Sequence, residues 1–360
     1  MTQKTHKILG LMSGTSLDGL DLAYCHFTKE NGAWQYKIIK TTTVAYSSEL
    51  QKVLKNAIHM SALELIALHN SYGTWLGEQA GAFITENNVA VDYIASHGHT
   101  THHQPALGVT LQIGSGHHLA NASTYKTITD FRSNDVALGG QGAPLVPIGD
   151  LLLFKEYDFC LNLGGISNIS LQVAKKRIAY DIGLANMILN YITRKIDLEY
   201  DANGDLARAG ALNKTMLYRL NSLAYYKLPY PKSIGYEWFL NEVVPIVDAT
   251  EDSIENLLHT AVHHICDQIA IQIQEHKHQK KQQLLITGGG ALNTFIMDTL
   301  KEKLQNTITC VIPEKELIDF KEAMVFAFMG VLKVGNELNV LKSVTGAKRD
   351  SCSGIIYQPN

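Results

Sequence analysis

Two stretches of the chain, GLMSGTSLDGLDLAY from Gly10 to Tyr24 and DFCLNLGGISNISLQV from Asp158 to Val173, share one pattern. An apolar run stops at a small, glycine-rich turn and then resumes as a second apolar run. A tight hairpin needs only a short turn such as Asn-Gly. The first turn instead spends Ser13, Gly14, Thr15, Ser16, Asp18 and Gly19. Backbone N–H groups and hydroxyls of this kind can hold an anion, and the aspartates a cation. Each half thus opens with strand, glycine turn, strand, and then alternates helices with strands. That order predicts two similar α/β domains, whose turns could face each other across a cleft.

At 360 residues the chain exceeds one typical domain. Gly/Pro-rich ALGGQGAPLVPIGD, Ala137 to Asp150, is the candidate boundary, giving domains of residues 1–145 and 146–360. Ile8 to Met12, Leu20 to Phe27 and Tyr36 to Ala45 are expected strands. Leu50, Val53, Leu54, Ala57 and Ile58 share a helical face, and a second helix is expected from Ala62 to about Asn87. Val91 to Ser96, Val109 to Ile113 and Lys126 to Asp130 are expected as short buried strands, and helices over Ser253 to Glu275 and Phe320 to Val334. A net charge of −3 without a basic block carries no footprint for nucleic acid. Met1 to Gly10 is too poor in apolar residues for a signal peptide, and no apolar run reaches membrane-spanning length. Cys25, Cys160, Cys266, Cys310 and Cys352 are scattered and odd in number, which predicts free thiols and a cytoplasmic setting.

GTSLDGLD is neither a P-loop nor GxGxxG. A phosphate cradle and a wide, Asx-capped loop both fit it, and the second turn, Gly164 and Gly165, tips the balance toward phosphate. Gly288, Gly289 and Gly290 follow a strand and precede a helix, where backbone can lie against a nucleotide near a helix N-terminus. Packing alone would need one glycine. Asp181, in YDIGLANM, stands where a strand runs into a helix. A general base and a helix cap are equally good readings of it. SHGHTTHHQP brings His97, His99, His102 and His103 together. The order matches no zinc motif, so a polar loop that hydrogen-bonds a ligand is the expectation. Arg132, just after a strand, could clamp a carboxylate or bridge domains. In KSIGYEWF, Tyr236 and Trp238 could stack on a sugar, or Trp238 and Phe239 could be core.

Together these segments resemble the anhydro-N-acetylmuramic acid kinase family, of the sugar kinase, Hsp70 and actin superfamily. GLMSGTSLDGLDLAY, SHGHTTHHQP, TDFRSNDVALGGQGAPLVP, LNLGGISNIS, YDIGLAN, KSIGYEWF, TGGGALN, FKEAMVFAFMG and TGAKRDSCSGIIY match in order along nearly the whole chain. The resemblance implies two actin-like (ribonuclease H-like) domains with a nucleotide and substrate cleft between them. It implies an enzyme that uses ATP, Mg²⁺ and water to open 1,6-anhydro-N-acetylmuramic acid and phosphorylate O6 during peptidoglycan recycling. Asp181 would be the catalytic base, with Glu322 a second acidic group near the reacting centre. Gly14, Thr15, Ser16, Leu17, Asp18, Gly19, Leu20 and Asp21 would cradle the ATP phosphates, Asp18 and Asp21 placing Mg²⁺. Gly164 and Gly165 would meet the phosphates, and Gly288 to Gly290 the adenosine. His97, Thr100, Asp130 and Arg132 would line the sugar pocket.

The match departs where Ile182, Leu184 and Ala185 replace the family's Thr, Pro and second Gly after the aspartate. Tyr236 also replaces an arginine, and His99 a glutamine. These changes bear on substrate choice, so a kinase of the same fold for another sugar is the alternative. A non-catalytic nucleotide switch is a second, which retention of Asp181 disfavours. The apolar C-terminal helices could support a homodimer.

Overall fold

The computed structural model describes residues 4–14, 17–278 and 281–360. The chain divides into two units, one of residues 1–154 with 320–360 and one of residues 155–319. Thr15 and Ser16, expected in the phosphate turn, lie outside the described residues.

In the first unit, β1 (Thr5–Ser13), β2 (Gly19–Glu30) and β3 (Ala33–Ala45) form an antiparallel meander. β4 (Tyr93–Gln104) adds to β1 in parallel, and β6 (Thr127–Thr129) adds to β4 in parallel. β5 (Val109–Ile113) hairpins back onto β4. The helix Ala62–Glu86 connects the meander to β4, and its start is fixed by a capping box between Ser61 and Glu64.

The second unit repeats the plan. β7 (Phe159–Leu163), β8 (Ile166–Val173) and β9 (Lys176–Leu184) form the meander. β10 (Gln282–Thr287) and β11 (Ile308–Val311) extend it in parallel from β7. Both sheets therefore run third, second, first, fourth strand of their unit, continued by β6 and β12 (Ile355–Tyr357) in the first and by β11 in the second, the actin-like plan implied by the resemblance. The helices Asn186–Arg194 and Ile254–Glu275 supply apolar faces to the second unit's core, which buries Leu161, Ile169, Ile182, Ile188 and Ile269. Among the described residues, no helix is long and apolar enough to cross a membrane. All five cysteines are free thiols.

The expected boundary near residue 145 is not where the chain divides. ALGGQGAPLVP is bound into the first unit by Asp135, a fully buried residue. Its carboxylate accepts from the Gly142 N–H at 2.8 Å and from the Thr345 hydroxyl at 2.7 Å. Gln141 N–H also donates to the Thr345 carbonyl. The last residues, assigned from sequence to the second domain, belong to the first. From Phe320 the helix Lys315–Val334 brings Phe326 against His97 and Phe131, and Phe328 against Phe27 and Trp34. β12 (Ile355–Tyr357) then pairs with β6.

That helix lies hard against β1. A Cβ on Gly10 would stand 2.0 Å from the Ala323 carbonyl oxygen, a backbone atom that cannot swing aside. Gly10→Ala is accordingly expected to cost this unit about 1–3 kcal/mol, read from urea unfolding. An unchanged midpoint would mean that the helix can move away without loss.

Candidate active site

The first glycine turn leaves β1 at Ser13 and enters β2 at Gly19, with Leu17 in a left-handed conformation (φ 60°). Its base is locked by a buried polar network. Ser13 Oγ accepts from the Tyr46 hydroxyl at 2.7 Å and lies 3.0 Å from His99 Nδ1. Tyr46 also meets the Tyr72 hydroxyl at 2.9 Å. Gln51 Nε2 donates to the Leu17 carbonyl at 3.0 Å. Ser13 and Leu17, on either side of the turn, are therefore tied to their own unit. Leu20 is core, whereas Asp18 is exposed and Asp21 half-buried, its carboxylate accepting from Thr43.

SHGHTTHHQP is not the expected loop. Ser96 to Gln104 lie within β4, which β5 carries on as a hairpin, and exposure rises along the strand from buried Ser96 to His99 to exposed His103 and Gln104. His97 and His99 are buried, and burial lowers both pKa values. His97 is the more constrained. Arg132 Nε donates to its Nε2 at 2.9 Å, so Nδ1 carries the proton and donates to the Gly98 carbonyl at 2.9 Å. Both ring nitrogens are thus used within the unit, and His97 orients Arg132. The guanidinium also donates to the Gly142 carbonyl at 2.6 Å. Burial lowers its pKa to about 10, so it stays charged at neutral pH, and Glu322 opposes that drop.

Asp130 directly follows β6 with φ 59°, an uncommon conformation outside glycine. Its Oδ1 accepts from the Ser133 N–H at 3.1 Å. Thr100 Oγ1 accepts from Gln112 Nε2 at 3.3 Å on the β4 hairpin. Glu322 is open to solvent, yet surrounding protein strips enough hydration to raise its pKa, opposed by Arg132 and reinforced by Asp21. In the first unit Arg132 therefore links His97 to Glu322, and Glu322 in turn feels Asp21. Mg²⁺ seated on Asp21 would offset the repulsion between Asp21 and Glu322, since it takes one or two protein carboxylates and fills its shell with water and phosphate.

In the second unit the Gly164–Gly165 turn is tied to the start of the next helix. The N–H groups of Ala185 and Met187 donate to the Gly165 carbonyl, and that of Asn186 to the Gly164 carbonyl. A Cβ on either glycine would make only ordinary contacts, at 3.5 Å or more. The fold itself does not demand glycine there, and the bare backbone would let a ligand approach closely. The triple glycine divides differently. Gly288 has φ 80° and, like Gly290, no room for a Cβ beside Leu163, while Gly289 has room. Two glycines, not one, serve packing. A 3₁₀ turn, Gly289–Leu292, takes in the last two of them, and the helix Thr294–Leu304 begins later, capped by the Asn293 side chain on Ile296 N–H. The glycines are thus not at the helix N-terminus.

Asp181 lies within β9, before the strand ends, and caps no helix. Its backbone is held on both polar groups: the N–H donates to the Lys232 carbonyl at 3.2 Å, and the carbonyl accepts from the Tyr225 hydroxyl at 2.7 Å. Oδ2 accepts from the Ile234 N–H at 3.1 Å. Burial raises the carboxyl pKa, partly offset by that bond. A half-buried carboxylate with a raised pKa and a fixed backbone has the character of a general base. In KSIGYEWF, Phe239 is core, Trp238 packs against Tyr225 and Tyr226, and Tyr236 is exposed. Ile182 and Leu184, where the family pattern differs, are buried core residues. Sequence reasoning missed Tyr46, Asp135, Tyr225 and Ile234, which hold these groups in place.

A profile of the family described as anhydro-N-acetylmuramic acid kinase matches residues 6–359. The anhydro-N-acetylmuramic acid kinase of Aliivibrio fischeri (strain ATCC 700601 / ES114) is 34% identical over 373 residues, covering 98% of this chain and 100% of that one. Its counterpart in Actinobacillus pleuropneumoniae serotype 7 (strain AP76) is 33% identical over 362 residues, covering 97% and 98%. Among solved structures, the activator of the 2-hydroxyisocaproyl-CoA dehydratase from Clostridium difficile with bound ADPNP is similar with a TM-score of 0.44 and 11% identity. The match covers 91% of this chain and 97% of that one.

Proposed function

Because the chain belongs to the anhydro-N-acetylmuramic acid kinase family, we propose that it opens 1,6-anhydro-N-acetylmuramic acid with water and phosphorylates O6 from ATP. The product is N-acetylmuramic acid 6-phosphate, and the step serves peptidoglycan recycling. The observation that carries this reading is Asp181, a carboxylate with a raised pKa on a backbone fixed through both its N–H and its carbonyl.

Asp181 takes a proton from water as the water oxygen bonds to the anomeric carbon. The bond from that carbon to O6 breaks, and O6 bonds to the γ-phosphorus as ADP leaves. The proton on Asp181 then passes to solvent. O6 is captured by phosphorus, so no second carboxylic acid has to protonate it, unlike ordinary glycoside hydrolysis. Phosphoryl transfer itself asks for positioning and charge neutralisation.

The remaining roles follow the same reading. Gly14 to Asp21, Gly164 and Gly165 receive phosphate, and Gly288 to Gly290 the adenosine. Asp18 and Asp21 would hold Mg²⁺, which when bound would neutralise phosphate charge. Glu322 is the second acidic group beside that charge. Arg132, oriented by His97, binds the sugar together with Asp130 and Thr100.

The test is product analysis by mass spectrometry with 1,6-anhydro-N-acetylmuramic acid and ATP in oxygen-18 water, sampled before anomeric exchange. The 6-phosphate should appear with label at the anomeric carbon. ATP turnover on another sugar, with none on this one, would favour the kinase of different specificity, in keeping with exposed Tyr236.

A further inference from the structure

The mechanism leaves one buried histidine of the second unit unused. His264, in the helix Ile254–Glu275, is 1% exposed, and its ring stands edge-on to Tyr226 with centroids 5.0 Å apart. Its Nε2 lies 2.9 Å from the Tyr226 hydroxyl, and its Nδ1 2.5 Å from Asn221 Oδ1. The protons in this chain can be placed. Asn221 Nδ2 donates to the Asp267 carboxylate at 3.2 Å, and Gln268 Nε2 donates to Asn221 Oδ1 at 3.0 Å. Asn221 Oδ1 is therefore an acceptor, so His264 Nδ1 carries the proton and Nε2 is bare. The Tyr226 hydroxyl must then donate to His264. Burial lowers the His264 pKa to about 4, so the ring is neutral at neutral pH, as this order of donors requires.

Tyr226 lies directly against β9. A Cβ at Gly183 would stand 2.6 Å from Tyr226 Cε1 and 3.0 Å from its hydroxyl oxygen. The ring thus fills the space beside the strand two residues after Asp181. The next residue, Leu184, gives Tyr226 a backbone hydrogen bond. Tyr225 holds the Asp181 carbonyl itself at 2.7 Å. Two consecutive tyrosines therefore fix the strand at residue 181 and again at 183 and 184. The far end of the chain, Asn221, Asp267 and Gln268, lines a surface groove of about 470 Å³.

We propose that Tyr226, oriented by hydrogen bonding to His264, is a positioning residue for Asp181. It rests on the reading of Asp181 as the base. The hydroxyl and the ring together set where β9 lies, and with it the carboxylate that must reach the attacking water. A base displaced by a fraction of an ångström loses rate without losing affinity for substrate.

The experiment compares four variants with wild type, using 1,6-anhydro-N-acetylmuramic acid and ATP. Tyr226→Phe keeps the ring and removes the hydroxyl. His264→Leu removes the acceptor for that hydroxyl, and His264→Gln restores one. Asp181→Asn is run beside them. Tyr226→Phe and His264→Leu should lower kcat about 10–100-fold with both KM values within about twofold, and His264→Gln should regain most of the rate. Thermal melts and circular dichroism follow the folded fraction. Tyr226→Phe at wild-type kcat, a rate loss that only tracks lost folded protein, or His264→Gln as slow as His264→Leu would each overturn the proposal. If Asp181→Asn still turns over, the base assignment fails and the positioning role fails with it. If Asp181→Asn is silent while Tyr226→Phe is fully active, the positioning role alone fails.

Discussion

Asp181→Asn is expected to bind ATP as the wild type does and to lose about 10²–10⁴-fold in kcat, the usual share of a general base. Asparagine keeps the shape and keeps an oxygen to accept the Ile234 N–H. It loses only the capacity to hold a proton. Calorimetry with ATP checks binding, and appearance of the 6-phosphate by mass spectrometry checks turnover. A residual rate within about tenfold of wild type would remove Asp181 from the base role. The pH dependence carries the same assignment. A base works ionised, so kcat/KM should fall as pH drops through the raised pKa, and the limb should lie above the ordinary aspartate value of 3.8. The sign for stability is the reverse of the usual carboxylate. A folded-state pKa above the unfolded one means that the favourable contribution is present in acid and is lost as pH rises through the folded pKa. At neutral pH the ionised Asp181 is then a cost, and Asp181→Asn should melt no lower than wild type at that pH. A clearly lower melting point would mean that the carboxylate is structural.

The strand, turn, strand openings of both units were legible because apolar runs on each side of a glycine-rich break leave few other folds. The helix Ala62–Glu86 was legible for a similar reason, with Ser61 and Glu64 marking its start. The division of the chain was not. ALGGQGAPLVP has the composition of a linker, and only the fold shows Asp135 gathering it in through Gly142 and Thr345, more than two hundred residues along. Sequence order also hid the return of residues 320–360, because a chain that leaves a unit and comes back leaves no mark in composition. The histidine run was misread as a loop because polar residues lower strand expectation. Yet His97 and His99 are buried there, each hydrogen-bonded to a neighbour. Groups with a chemical motif, Asp181 above all, could be picked out along the sequence. Those that hold them in place, such as Tyr225, Tyr226 and His264, carry no local signature, since a histidine on an apolar helix face looks the same whether or not it orients anything.

Lys321→Met is expected to destabilise the first unit by about 3–5 kcal/mol. Lys321 Nζ meets Asp150 Oδ1 at 2.7 Å, with the two side chains 9% and 4% exposed. The ammonium also stands 5.2 Å from the Phe154 ring. Asp150 belongs to the helix Pro147–Leu152 and Lys321 to the returning helix, so the pair joins the two chain segments of this unit. Removing the lysine leaves a carboxylate where water scarcely reaches it, and that desolvation, more than the lost attraction, sets the cost. The argument therefore makes a second, sharper claim. In Asp150→Leu/Lys321→Met no charge is left buried, and much of the stability should return. Urea unfolding in a Trp238→Phe background follows the right unit, because Trp34 and Trp75 then report on it alone. A single-variant loss under about 1 kcal/mol would place the pair with exposed ion pairs. A double variant no more stable than Lys321→Met would mean that the attraction itself, and not the stranded charge, had held the two segments together.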